Sequence, residues 1–154
     1  MATLILYDGL CGLCNRLNQF VLRRDVHDRF RFAPLQGTLA GDLLRRYGRD
    51  ARELDTVYVV KNHGQQGEAL LAKGRAILFV LRTLGGFWSL ARVFNLVPRR
   101  VLDLAYDLVA RRRYRWFGRY GACPLPAPGV REKFLDGGIS DLRDAGVTAG
   151  PPSR

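Results

Sequence analysis

Apolar positions along the chain follow two different periods, and the switches between them set out a series of elements. Residues 3–7, Thr-Leu-Ile-Leu-Tyr, form a short apolar run closed by Asp8-Gly9. That is the pattern of a strand buried on both faces and stopped by a turn. Leu13, Leu17, Phe20, Val21 and Arg24 then recur at helical spacing, with Asn15, Arg16, Asn18 and Arg23 on the other side, which predicts an amphipathic helix to about Asp25. Phe30-Arg31-Phe32-Ala33 alternates before Pro34 and predicts a second strand. Leu39, Leu43, Leu44 and Tyr47 suit a helix ended by Gly48, and residues 56–60, Thr-Val-Tyr-Val-Val, have the β-branched density of a third strand. Asn62-His63-Gly64 reads as a hairpin turn. Residues 68–72 can pair back as a short antiparallel strand, and residues 75–84 predict a helix closed by Gly85-Gly86.

This order, βαβ then ββα, predicts an α/β protein with a thioredoxin-like core. Residues 87–117 stay helical in pattern, with Leu90, Phe94, Leu102, Leu104, Ala105, Leu108 and Val109 apolar and Pro98 as a break, so two extra C-terminal helices are expected. Beyond Gly121 the chain turns to Gly, Pro and small residues and ends Ala149-Gly-Pro-Pro-Ser-Arg154, with little to bury. The expected organisation is one thioredoxin-like domain over residues 1–126, including the C-terminal helices, and an irregular or mobile tail over 127–154. A chain of 154 residues is long enough to bury one core without a staple.

Composition narrows the function classes. With 47% hydrophobic and 25% charged residues the chain is neither broadly disordered nor membrane-spanning, and Arg82, Arg92 and Arg99 interrupt its most apolar region. The formal net charge is +11, and of the 25 basic residues only Lys61, Lys73 and Lys133 are lysines. Such a field favours acidic partners. A specific nucleic-acid role is disfavoured, and an anionic membrane surface stays open. In Arg111-Arg112-Arg113-Tyr114-Arg115-Trp116-Phe117 the expected arrangement is a helix whose aromatics dock on the core while the arginines stay solvated. Trp88 and Trp116 are expected to anchor the C-terminal helices. Three cysteines cannot all pair within one chain, and the first residues lack the charge and apolar pattern of a signal peptide. A cytoplasmic location is expected.

The chemistry-bearing motif is Cys11-Gly12-Leu13-Cys14. It places one sulfur at the mouth of the first helix and the other one turn inside, on the same face. Unsatisfied N–H groups and the helix dipole favour a thiolate at the first position. Such sites lower a thiol from about 8.5 into the range ~3.5–7.5. Cys11 is therefore the expected nucleophile and Cys14, expected to be the less exposed, the resolving thiol. Asp8, three residues before Cys11, could take a proton from Cys14 or tune Cys11, or be only part of a turn. Gly9 and Gly12 would let a substrate backbone approach the sulfur, though turn geometry also accounts for them. Structural zinc needs four ligands, and Cys123, His27 and His63 are scattered without a second close pair, so no metal is expected. No cofactor is expected either: Asn15 stands where c-type haem attachment requires histidine.

Tyr7-Asp8-Gly9-Leu10-Cys11-Gly12-Leu13-Cys14 resembles the signature of the DCC family of thiol-disulfide oxidoreductases, also known as domain of unknown function 393. The resemblance continues through Leu81-Arg82-Thr83-Leu84-Gly85-Gly86, Val97-Pro98 and Arg113-Tyr114-Arg115-Trp116-Phe117-Gly118 to Cys123, covering about residues 3–126. It implies a thioredoxin-like fold and Asp8, Cys11 and Cys14 as functional residues. From the dithiol itself the expected substrate is a protein or small-molecule disulfide, served by an unidentified thiol electron donor. Thr56-Val57 stands where thioredoxins and glutaredoxins continue to a cis-proline beside the dithiol, which marks Thr56 and Val57 as the expected substrate edge. Lys73-Gly74 replaces the Ser-Asp cap of relatives. Cys123 is expected to be a small buried hydrophobe, with a third redox thiol the alternative. The competing functional class is a basic module for acidic lipid or nucleic acid, with a structural or metal-bound cysteine pair.

Overall fold

The computed structural model describes residues 2–51, 56–85, 97–119, 121 and 128–135. In chain order these form β1 (Thr3–Tyr7), α1 (Gly12–Arg24), β2 (Phe30–Pro34), α2 (Thr38–Arg46), β3 (Tyr58–Lys61), β4 (Ala69–Ala72), α3 (Lys73–Leu84), α4 (Arg99–Phe117) and a 3-10 turn at Pro128–Lys133. The mixed sheet runs β2-β1-β3-β4. β1 lies parallel to β2, with Ile5 opposite Phe32, and antiparallel to β3, with Ile5 opposite Val59. β4 completes the sheet antiparallel to β3. This is an α/β fold consistent with the thioredoxin-like arrangement.

Because side chains alternate across a strand, β1 serves two cores. Ile5 and Tyr7 join Phe30, Phe32 and Val59 under α1 and α3, in the same cluster as Cys11 and Cys14. Leu4 and Leu6 join Tyr58, Val60, Leu43 and Leu44 on the α2 side. All five β1 residues are buried, as the continuous apolar run requires. The end of this central strand delivers the chain straight to the cysteines.

Several expectations change in detail. The third strand starts at Tyr58, leaving Thr56 and Val57 outside it, and α3 starts at Lys73 rather than residue 75. Gly74 is not a cap. It sits where α3 meets α4, and a Cβ there would lie 3.4 Å from that of Leu102. Trp116 does not anchor α4 but projects outward, 55% exposed. Asn18, expected on the polar side of α1, falls one turn after Cys14 and shares its buried face with Val21. Residues 128–135, within the expected tail, pack on the edge of the sheet: Leu135 N–H donates to Phe32 O at 2.9 Å, and Phe134 stacks on Phe32 with ring centroids 5.2 Å apart. The first of the two expected C-terminal helices, with Trp88, lies outside the described residues, as do Cys123 and residues 136–154. Among the described residues no helix is long and apolar enough to cross a membrane.

Candidate active site

The turn between β1 and α1 is held by side chains that come from both sides of it. Cys11 is the N-cap of α1 in an extended conformation (φ −86°, ψ 121°), and Cys14 lies in the first turn. The Asn15 amide donates to Gly9 O at 2.9 Å and Cys11 O at 3.0 Å, while Gln36, from the loop after β2, accepts from Gly9 N–H at 3.1 Å. Both backbone groups of Gly9 are therefore engaged internally. Gln36 also donates to Asp8 Oδ1 at 2.8 Å, as does Leu10 N–H at 3.0 Å. Asp8 is thus more than a turn residue: its carboxylate is an organising acceptor.

The other carboxylate oxygen reaches across 105 residues to α4. Arg113 Nη2 donates to Asp8 Oδ2 at 3.2 Å, and the Tyr114 hydroxyl donates to the same oxygen. Arg113 and Asp8 are both buried, 2% and 0% exposed at their side chains. This corrects the expectation that the arginines of 111–115 are all solvated. At 100° per residue, Arg113 shares the inward arc of α4 with Tyr106, Ala110 and Phe117, while Arg111, Arg112 and Arg115 face out. The signal was present in the sequence as Asp8 itself, since a carboxylate at the end of a fully buried strand needs a cation or several donors.

Electrostatics separate the two sulfurs. Hydrogen bonding from the Cys14 side chain is the largest influence on Cys11. With the N–H groups of Cys14 and Leu13 and the charge of Arg113, it outweighs burial and lowers the Cys11 thiol to about 6. Cys14 moves strongly upward, because it is the donor to Cys11, is buried, and feels the charges of Cys11 and Asp8. One proton is readily lost from the pair and the second is held tightly. Tyr106 stands close by. Its hydroxyl accepts from Val57 N–H at 2.7 Å, and burial raises it to about 12.

Access differs from the expected picture. Cys11 is 0% exposed, so it is not the more open of the two thiols. The end of α4 lies across it: Gly12 N–H donates to Gly118 O at 3.2 Å, and Cys11 forms an antiparallel bridge with Arg119. A Cβ at Gly12 would sit 2.1 Å from Phe117 O. What approaches Gly12 closely here is the protein's own backbone. Val57 is likewise engaged, its N–H with Tyr106 and its carbonyl with Lys73 N–H at 3.1 Å. Thr56 is buried beside it. His63 sits at the β3–β4 turn next to Glu68, at 3.3 Å, at the end of β3 away from the dithiol.

Asn18 is 2% exposed, and among the described residues neither its amide oxygen nor its nitrogen has a hydrogen-bond partner. Leaving such groups unsatisfied costs about 1–3 kcal/mol. Asn18→Leu, similar in shape, is expected to raise the urea midpoint of the reduced protein. A lower midpoint would mean that the amide is satisfied in solution.

A family model described as DCC1-like thiol-disulfide oxidoreductase matches residues 5–119. The chain is similar to an uncharacterized protein, YuxK, of Bacillus subtilis, with 35% identity over 131 residues that cover 85% of this chain and 92% of that protein. It is also similar to a chloroplastic DCC family protein of Arabidopsis thaliana, with 33% identity over 123 residues, 79% of this chain and 69% of the other. No solved structure matches.

Proposed function

Since the chain belongs to the DCC1-like thiol-disulfide oxidoreductase family, we propose that its reaction is dithiol-disulfide exchange carried by Cys11 and Cys14. The observation that carries this reading is the placement of two free thiols within one helical turn, Cys11 as the N-cap of α1 and Cys14 in its first turn, where hydrogen bonds from Cys14 favour the Cys11 thiolate and burial holds the Cys14 proton. The Cys11 thiolate attacks one sulfur of a substrate disulfide and forms the mixed disulfide, and the first substrate thiolate leaves and takes up a proton. Cys14 then gives up its proton and its thiolate attacks the Cys11 sulfur, releasing the second substrate thiolate. The substrate gains two electrons and two protons, and the protein keeps the Cys11–Cys14 disulfide. An external thiol returns the pair to the dithiol. Asp8, paired with Arg113, serves as a positioning residue, and the Arg113 charge favours the thiolate.

The test combines trapping with titration. Cys11→Ser is expected to abolish exchange, and Cys14→Ser to accumulate a mixed disulfide on Cys11. The pH dependence of Cys11 alkylation is expected to have its midpoint near 6. A midpoint near the ordinary thiol value, or exchange that survives Cys11→Ser, would sink the reading. Linkage supplies a second readout. The folded thiol loses its proton near 6 and the unfolded one near 9.0, so between those values the unfolded state binds more protons. Stability of the dithiol form therefore rises with pH across that window. Above it the raised Cys14 acts in the opposite sense, and stability falls.

A further inference from the structure

Helix α4 exposes an unusual face. Leu104 is 70% exposed, Val101 53% and Leu108 49%, and Trp116 also projects outward. Arg111, Arg112 and Arg115 are exposed as well. At 100° per residue, Leu104, Arg115, Leu108, Val101 and Arg112 lie within one arc of about 80°, with Arg111 and Trp116 at its two margins. No acid lies in that arc. Asp103 and Asp107 fall on the flank, and Asp107 is engaged with Lys73 at 2.8 Å. The face is apolar over its first two turns and cationic over its last, and it is opposite the arc that sends Arg113 to Asp8.

We propose that this face of α4 docks on an anionic membrane surface. Three properties select that occupant. In a two-fold pairing of two copies through this face, Arg111, Arg112 and Arg115 would meet their own equivalents or the apolar half of the stripe, so a self-dimer leaves three cations without counter-charge. A nucleic acid would satisfy the arginines but place Val101, Leu104 and Leu108 against phosphate and water. A bilayer surface with acidic headgroups takes both halves: the leucines and valine enter the boundary of the acyl region, the arginines reach the headgroups, and Trp116 sits at the level where indole is favoured. The net charge of +11 adds long-range attraction to the same surface.

The proposal does not depend on the dithiol chemistry. The test is co-sedimentation of the full chain with phosphatidylcholine vesicles with and without phosphatidylglycerol, at low and high salt. Binding is expected only with phosphatidylglycerol, weakened by salt, and unchanged in the Cys11→Ser, Cys14→Ser double variant. Leu104→Glu with Leu108→Glu is expected to abolish it while the far-UV spectrum is kept, since both side chains are exposed. Each of Arg111→Gln, Arg112→Gln and Arg115→Gln is expected to weaken it about fivefold. Absence of binding at low salt, or binding that the glutamate variants leave intact, overturns the proposal. So does a sedimentation-velocity dimer abolished by Leu104→Glu, which would identify a second copy as the occupant.

Discussion

Arg113→Met is expected to lower the stability of the reduced protein by about 3–5 kcal/mol, the cost of leaving a buried charge without its partner. Asp8 is completely buried and Arg113 nearly so. Without the guanidinium, the carboxylate keeps Leu10 N–H, Gln36 and the Tyr114 hydroxyl as its donors among the described residues. The same change removes a favourable charge from the Cys11 thiolate, so the alkylation midpoint of Cys11 is expected to rise above about 6. The double variant Asp8→Asn, Arg113→Met separates the two roles. It should recover much of the lost stability, because no unpaired charge remains. It should not restore the Cys11 midpoint, because the cation is still missing. Urea denaturation and pH-dependent alkylation of wild type, both single variants and the double variant make the test. A loss below ~1 kcal/mol in Arg113→Met, the range of a solvated surface pair, would place the ion pair in water.

Gly12→Ala is expected to separate the end of α4 from the dithiol. Alanine is favoured over glycine in a helix by up to about 1 kcal/mol, so local propensity alone would stabilise α1. The added Cβ, however, would meet Phe117 O at 2.1 Å and Gly118 O at 3.2 Å, and these are backbone atoms that cannot rotate away. Overpacking of this kind costs about 1–3 kcal/mol. Where the strain is relieved by lifting residues 117–119, each 1.4 kcal/mol taken from the closed arrangement multiplies the open population about tenfold. The expected signature is therefore a lower melting temperature together with faster alkylation of Cys11 at fixed pH. A stabilised Gly12→Ala variant with unchanged alkylation would mean that helix propensity governs this position and the close backbone contact does not.

The parts of the fold that could be read from the sequence are those fixed by local period. β1 through α3 follow from where alternation gives way to helical spacing, and their order is enough to imply the sheet. Asp8, Cys11 and Cys14 lie within seven residues on one strand-turn-helix unit, so their proximity is a local fact. Arg113 was hidden for the opposite reason. It reaches Asp8 only because α4 returns across the mouth of α1, and it is set among arginines whose composition reads as solvated surface. Asn18 reads as exposed by polar character alone, although its spacing from Cys14 puts it on the buried side. The segment 128–135 looked unable to pack because its glycine and proline content hid Phe134, whose ring closes over Phe32. For Arg113 and Phe134 the deciding contact is tertiary, and no window of neighbouring residues contains it.

The backbone lying over Cys11 has a consequence for how long the protein survives in service. A sulfur that ionises near 6 is chemically ready for peroxide as well as for disulfides, and thiolates oxidised beyond the sulfenic state are lost to the exchange cycle. Complete burial of Cys11 means that ionisation and encounter are governed separately: a thiol lowered to about 6 is mostly thiolate at neutral pH, but an oxidant meets it only while the site is open. Sulfinic acid would then accumulate in proportion to the open population as well as to the thiolate, and a looser cover would trade durability for speed.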